Sequence, residues 1–456
     1  MFEREKYLFM PAALHLKPEE IDTKGKRGKY AVSIIGCNQK GILYATVFAE
    51  AGFQVICTDI DQTLVKHLAK GKTPFHDREI ESKLKSFLRK GQLSVTNELK
   101  NAVSQSDVVV MTFTAKIDDL KHPDYSEVEN VCKQAGAALS QGVLFIYGGT
   151  ASLGFTEGVI KETLENTSGL KVGEDFGLVY NPIQFSTLKP FASFANLELA
   201  IAGEDRTSLE SAANVLGALT GKAVKQILGV KAAEAALLFN IVRKDSNLAL
   251  ANELAVFCES AGIDYFETLK LVETNELKFA PTVETQEDNG NAAYLLLESA
   301  ENLNAKLRLP ALARKINEDM VRHAVNLTRD ALRGCGKTLR RARVAVLGAA
   351  KPATLMFVKM LERKGAKTSL YDPWLPKTEL PNMGRVFKRS LKEAVEGADC
   401  MVVLNELGRF KRLNFKKLRA VMKMPAAVVD LTGMIEPQKV GGNGFTYRGL
   451  GRGWKK

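Results

Sequence analysis

Two strand–turn–helix units of one kind lie near opposite ends of this chain, and they constrain its fold more than any other feature. The first, YAVSIIGCNQKGILYATVFAEAGFQVICTDID, runs from Tyr30 to Asp61. The second, RVAVLGAAKPATLMFVKMLERKGAKTSLYDP, runs from Arg343 to Pro373. Each has an apolar β-branched run, a turn opening at a glycine (Gly36, Gly348) and an amphipathic helix. Each then has a glycine near the helix end (Gly52, Gly365), a second strand and an Asp (Asp59, Asp372). A parallel strand covered on both faces explains the apolar run, and the glycine lets backbone and phosphate approach at a helix N-terminus. Two such units around a long helical middle are far more specific than one.

From Tyr30 to Gly203, β-type runs alternate with helical ones: VVVMTF (Val108–Phe113), GVLFIYGG (Gly142–Gly149), DFGLVYNP (Asp175–Pro182) and LELAIAG (Leu197–Gly203). Such alternation predicts a doubly wound parallel sheet. From Val230 to His323 the pattern is helical, and Ala232–Gly262 is one long segment ended by Gly262. At 1.5 Å per residue it spans about 45 Å, the length of a domain connector and dimer seam. It is apolar on more than one face, which predicts a homodimer or higher homo-oligomer. Strand–helix alternation returns from Arg343 to Gly453, with CMVVLNE (Cys400–Glu406), AAVVDLTG (Ala426–Gly433) and GFTYRGLGRG (Gly444–Gly453). The expected fold class is α/β: two doubly wound parallel-sheet domains joined by a helical central domain with a long connecting helix. The expected divisions are a polar extension at 1–28, a first sheet domain at 29–210, a helical domain at 211–330 and a second sheet domain at 331–456.

A length of 456 residues suits this plan at about 150 residues per domain. The sequence has no run of about 18 uncharged apolar residues, which argues against a membrane span. Its first residues, MFEREKYLFMPAALHL, have no apolar signal core. The six cysteines (Cys37, Cys57, Cys132, Cys258, Cys335, Cys400) show no CxxC spacing, and the five histidines do not cluster. They read as reduced thiols of a cytoplasmic protein without a metal site. The formal charge is +12, concentrated at Arg329, Arg333, Lys337, Arg340, Arg341 and Arg343 and again from Arg409 to Lys423. Aromatic interleaving and a recognition motif are missing, so solvated helix faces and attraction for a polyanionic small molecule explain the charge better than nucleic acid.

Further segments carry a family resemblance. In order they are TDID (Thr58–Asp61), KGKTPF (Lys70–Phe75), KGQLSVTNEL (Lys90–Leu99), TFTA (Thr112–Ala115), YNP (Tyr180–Pro182) and ANELAVFCESAGID (Ala251–Asp264). YDP (Tyr371–Pro373), GADCMVVLNELGRF (Gly397–Phe410), DLTGMIEP (Asp430–Pro437) and YRGLGRG (Tyr447–Gly453) follow. In this order and spacing the chain resembles the nucleotide-sugar dehydrogenases, from Tyr30 to Gly453. The resemblance implies two Rossmann-like domains, the first binding NAD, the second helping to hold a UDP-linked sugar, and a helical dimerisation core between them. It also implies oxidation of a sugar primary alcohol to a carboxylate with two hydride transfers to NAD, and Thr114 falls at a catalytic position of the family.

Several positions depart from that pattern. The family's cysteine, which attacks the intermediate aldehyde as a thiolate, should follow the long helix. Here KFAPTVETQEDNGNAAYLL (Lys278–Leu296) has none, and no cysteine lies between Cys258 and Cys335. The helix lysine and asparagine that would stabilise the oxyanion fall on Leu237 and Ile241. A one-residue shift restores Asn240 and Arg243 but leaves Ala236 for the lysine. Ile183 stands where a glutamate is expected and Thr432 where an arginine is expected.

The cofactor loop is altered too. GCNQKG has Gly36 and Gly41 as its outer pair, with Asn38 at the middle glycine position. Lys40 is a candidate phosphate contact. Asp59, 23 positions after Gly36, is placed to hold ribose hydroxyls and favours NAD over NADP. Thr114 and Thr150 end strands on the cleft side and are candidates to line the nicotinamide site. Three readings stay open: a working UDP-sugar oxidoreductase, a degenerate paralogue acting as a binding or regulatory subunit, and a two-electron hydroxyacid-type dehydrogenase on the same architecture.

Overall fold

Strand β1 (Ala31–Ile35) is the pivot of the N-terminal half. It pairs in parallel with β2 (Gln54–Thr58) on one side and β4 (Val108–Met111) on the other, and β2 pairs with β3 (Leu93–Thr96). Beyond β4 come β5 (Leu144–Tyr147), β6 (Gly177–Tyr180), β7 (Ala200–Gly203) and β8 (Lys225–Leu228), giving the order β8-β7-β6-β5-β4-β1-β2-β3. The chain therefore changes direction across the sheet between β1 and β4, the switch point at which ligands of doubly wound sheets bind. All neighbours are parallel except β6 and β7, where Val179 opposes Gly203. In this computed structural model the described residues are 13–73, 78–183, 191, 194, 196–272, 280–283, 291–348, 352–373, 386–405 and 410–453.

Strand β4 beside the pivot is buried throughout, as both its faces are covered: Val108, Val109, Val110 and Met111 are all closed to solvent. Helix α1 (Gln39–Ala51) packs Ile42, Leu43, Ala45 and Phe48 into this core. It stops at Gly52, whose φ of 108° is the left-handed cap that ends many helices.

The expected polar extension 1–28 needs correcting in its described part. Ala13, Leu14, Leu16 and Ile21 are buried. The Leu14 N–H donates to Gly142 O at 3.0 Å, and Ser211 and Asn214 of α2 (Arg206–Thr220) donate to Leu14 O and Leu16 O. Burial of each leucine contributes about 1.5–3 kcal/mol, enough to dock the segment. The first sheet also runs past residue 210, because α2 and β8 complete it.

By its contacts the chain divides into two compact units, Met1–Asn240 with Tyr294–Ala305, and Ile241–Ala293 with Lys306–Lys456. The long helix, α3 (Val230–Ala261), gives its first turns to one unit and the rest to the other. Gly262 follows it with φ 72°. Helix α4 (Ala293–Asn302) belongs to the first unit from Tyr294 onward.

In the second unit α3 is rung to α5 (Arg308–Gly334) by polar pairs. Arg314 donates to Asp245 at 2.6 Å, Asn252 to Asn317 at 2.9 Å, and His323 lies 2.9 Å from Glu259. Behind α5 a second sheet runs β10-β9-β11-β12-β13, built from β9 (Arg343–Leu347), β10 (Lys367–Tyr371), β11 (Cys400–Val403), β12 (Ala427–Asp430) and β13 (Thr446–Gly449). All its pairs are parallel, and α6 (Pro352–Arg363) crosses from β9 to β10. Among the described residues, one parallel bridge lies beyond β10, Leu370 with Phe387. Among the described residues no helix is long and apolar enough to cross a membrane.

Candidate cofactor site

The loop leaving β1 is shaped by two glycines. Gly36 has φ 96°, and a Cβ there would lie 2.9 Å from the Phe113 ring and from Thr112 Oγ1. At Gly41 a Cβ would sit 1.8 Å from Gly36 O, so only glycine lets α1 start this close to β1. Asn38, between them, needs no glycine for its backbone: its φ is −67° in an ordinary extended conformation. Its side chain instead caps α1, with Oδ1 accepting the Gly41 N–H at 3.0 Å and Nδ2 donating to Thr112 O at 2.8 Å. Such a cap contributes about 1 kcal/mol to the helix. The first turn of α1 still directs backbone N–H groups and the positive end of the helix dipole toward the sheet's carboxyl edge.

Asp59 follows β2 and is buried. Its Oδ2 accepts the Cys37 N–H at 2.6 Å and its Oδ1 accepts the Asp61 N–H at 2.9 Å. Lys40 reaches from the first turn of α1 to Gly148 O and Thr150 Oγ1, both at 3.3 Å. The Thr150 N–H donates to Thr114 Oγ1 at 3.3 Å, and the Ala115 N–H donates to Thr150 O at 3.0 Å. All seven residues predicted for the cofactor site (Gly36, Asn38, Lys40, Gly41, Asp59, Thr114 and Thr150) therefore gather at one edge of the sheet, around the ends of β1, β2, β4 and β5. Sequence reasoning missed Thr112, whose hydroxyl donates to Gly36 O at 2.8 Å; the TFTA segment carried it without marking it as a loop clamp. Beyond β5, Tyr125, Ser152 and Glu298 also meet, three residues for which the sequence offers no periodic signal.

Cys37 lies beside the start of a helix, where thiols are often activated. Here the neighbouring Cys57 thiol, burial and the Asp59 carboxylate all push its thiol well above the usual range, so it stays protonated. Among the described residues no group of His, Cys, Asp and Glu is arranged to hold a metal.

The other expected catalytic positions are apolar or committed to local bonds. Leu237, Ile241 and Ile183 are buried. Thr432 donates its hydroxyl to Asp430 at 2.7 Å. Lys244, two turns beyond Leu237, is half-buried, and burial together with the adjacent Arg243 lowers its pKa. Of the segment Lys278–Leu296, residues 278–279 and 284–290 lie outside the described residues.

A family model described as "UDP-glucose/GDP-mannose dehydrogenase family, NAD binding domain" matches residues 30–217, and that family's UDP binding domain matches residues 352–437. The chain belongs to the UDP-glucose/GDP-mannose dehydrogenase family. It is 28% identical over 443 residues to a UDP-N-acetyl-D-mannosamine dehydrogenase of Pyrococcus horikoshii, covering 92% of this chain and 99% of that protein. It is 24% identical over 453 residues to a UDP-glucose 6-dehydrogenase of Rhizobium meliloti, covering 92% and 99%. A solved structure of UDP-D-ManNAc dehydrogenase from Pyrococcus horikoshii superimposes with a TM-score of 0.82 at 25% identity, covering 93% of this chain and all of that one.

NAD is the cofactor, and the site suits it. The Gly36–Gly41 contact brings a helix N-terminus to the switch point, and an acid closes β2. Bound NAD would supply a hydride acceptor there.

Proposed function

We propose that the chain oxidises the primary alcohol of a UDP-linked sugar with NAD by one hydride transfer, without the thiol-dependent second oxidation. In this reading the first turn of α1 and Lys40 meet the pyrophosphate, Asp59 meets the adenosine ribose, and Thr114 and Thr150 line the nicotinamide end. The excess of basic residues suits a substrate bearing a diphosphate. Residues Leu250, Leu254 and Phe257 of α3, exposed on one face, form the seam of a homodimer.

One observation carries the proposal: a well-formed cofactor loop occurs in a sequence with no cysteine between Cys258 and Cys335. The first step converts R–CH2OH and NAD+ to R–CHO, NADH and a proton, and needs only an oriented alcohol and a base. The second requires an aldehyde adduct that can expel hydride, which the family's thiolate supplies.

The experiment incubates purified chain with NAD and UDP-glucose, UDP-N-acetylmannosamine or UDP-N-acetylglucosamine, with hydroxylamine present to trap aldehyde. One NADH and one oxime per sugar are expected. Two NADH per sugar at about 1 s⁻¹ or faster, within the usual enzyme range, would show that another group replaces the thiol.

A further inference from the structure

Beyond the carboxyl end of β5, three side chains from distant parts of the sequence meet. Tyr125 precedes the helix Ser126–Gly136, Ser152 lies in the loop after β5, and Glu298 stands on α4. The Tyr125 hydroxyl is hydrogen-bonded to both Ser152 Oγ and Glu298 Oε2, and Ser152 Oγ donates to the same carboxylate oxygen at 2.5 Å. Ser152 is buried, while Tyr125 and Glu298 are half-buried. The Tyr125 ring is stacked on Phe155 with centroids 4.8 Å apart. The Leu153 N–H donates to Ser299 Oγ at 3.1 Å, fixing the loop against α4.

The place matters as much as the contacts. Ser152 is two residues from Thr150, which carries the Lys40 and Thr114 contacts at the cofactor edge. In sheets of this topology ligands bind outside the carboxyl ends of the strands. Alcohol oxidation needs a proton acceptor there, yet Leu237 and Ile241, where the family resemblance called for polar groups, are buried and apolar. Two hydroxyls and a carboxylate in mutual contact can pass a proton without any side chain turning.

We infer that Tyr125, Ser152 and Glu298 form the proton-accepting relay for the alcohol this chain oxidises, an inference that rests on the function proposed above. The Tyr125 oxygen takes the alcohol proton as the C–H electron pair leaves as hydride to NAD+, and the C–O bond becomes C=O. In the same step Tyr125 gives its own proton to Glu298, directly or through Ser152 Oγ. Glu298, on the half-buried side, returns that proton to solvent. Tyr125 is the catalytic group, and Ser152 and Glu298 act through it.

The test compares Tyr125→Phe, Ser152→Ala, Glu298→Gln and Glu298→Asp with the wild-type chain. NAD affinity by calorimetry and the thermal midpoint report on folding and cofactor binding apart from turnover. The relay predicts NAD affinity within about threefold of wild type in all four. It predicts kcat with the UDP-sugar lower by about 10²-fold or more in Tyr125→Phe and Glu298→Gln, the usual size of a general-base contribution, with KM nearly unchanged. Glu298→Asp recovers part of that loss, and the solvent deuterium isotope effect on kcat is changed in Tyr125→Phe. If these variants turn over within about threefold of wild type, or lose activity only in step with NAD affinity or thermal midpoint, the trio is a structural latch and the relay is overturned. No UDP-sugar turnover by the wild-type chain with NAD bound would overturn the proposed function and the relay together. Normal wild-type turnover with unaffected variants would overturn the relay alone.

Discussion

The Asp59 carboxylate accepts the Cys37 N–H at 2.6 Å, so the acid proposed above to meet a cofactor ribose also ties the loop after β1 to the end of β2. Its second oxygen accepts the Asp61 N–H at 2.9 Å. Under the proposed function, selectivity and loop structure are therefore joined in one side chain, and two substitutions separate them. Asp59→Ala leaves two backbone donors without this partner and should cost about 1–3 kcal/mol of stability, with loss of NAD binding. Asp59→Asn keeps an acceptor for Cys37 and removes the charge that repels a 2′-phosphate. It should stay folded and narrow the preference for NAD over NADP. Calorimetry with both cofactors and denaturant unfolding check this; an unchanged preference in folded Asp59→Asn would remove Asp59 from the ribose site.

Asn38 and Gly41 make an opposed pair of predictions. Asn38 has ordinary backbone angles, so Asn38→Gly introduces no relief of strain and removes the cap on Gly41 and the bond to Thr112 O. A drop in stability of about 1–2 kcal/mol is expected, with NAD binding equal or tighter because more room is left for the pyrophosphate. Gly41→Ala forces a Cβ to 1.8 Å from Gly36 O, a backbone atom that cannot swing away. It should cost about 1–3 kcal/mol, as overpacking does, and abolish NAD binding. Thermal unfolding and cofactor titration of the two variants give the comparison.

Both strand–turn–helix units were legible because each packs its evidence into about 30 residues: a strand covered on both faces must read as apolar, and the turn must open on glycine. The long helix was legible for a similar reason, with Gly262 marking its end. What could not be read were relationships across the chain. Tyr125 and Glu298 are separated by 173 residues, and no period links them. The burial of Leu14 and Leu16 was hidden by the charged residues around them. The antiparallel join of β6 and β7 was hidden because LELAIAG reads as a buried strand in either direction. The role of Asn38 as a helix cap was open to sequence reasoning, since Asn is a favoured cap residue, but the glycine fingerprint drew attention to what was missing there.

The second unit offers a pH test. Asp399, just before β11, is buried, which pushes its carboxyl up. The Arg343 N–H at 2.8 Å and the Lys337 ammonium at 2.7 Å outweigh this and hold it below the usual carboxylate range. A depressed carboxyl contributes stability above its unfolded pKa, about 3.9, and loses that contribution as pH falls toward the folded value. Asp399→Asn should therefore be less stable than wild type by about 1–2 kcal/mol at pH 7, with the gap closing below about pH 4. Urea midpoints of both proteins across this range measure it. A gap that does not change with pH would mean the ion pair contributes nothing beyond a neutral hydrogen bond.

The last prediction concerns α3. Leu250, Leu254 and Phe257 are 45%, 39% and 63% exposed, and their spacing of four and three residues sets them on one helical face. Ala251, Ala255 and Cys258, on the face turned inward, are buried, so this helix is satisfied on its own side and still presents a second apolar stripe. Ile263 and Leu271 extend the exposed apolar surface along the adjoining segment, and Leu254, Phe257, Tyr265 and Leu269 line a groove between them. Apolar surface returns about 25 cal/mol per Å² when removed from water, and a two-fold interface lets one stripe cover its own copy. The wild-type chain is expected to sediment as a dimer at micromolar concentration. Phe257→Glu, which places a charge in the seam, should shift it to monomer. NAD affinity should be unchanged, because Phe257 lies outside residues 30–217, which match the NAD binding domain. A wild-type monomer, or a Phe257→Glu variant with the wild-type mass, would place the subunit contact elsewhere or remove it.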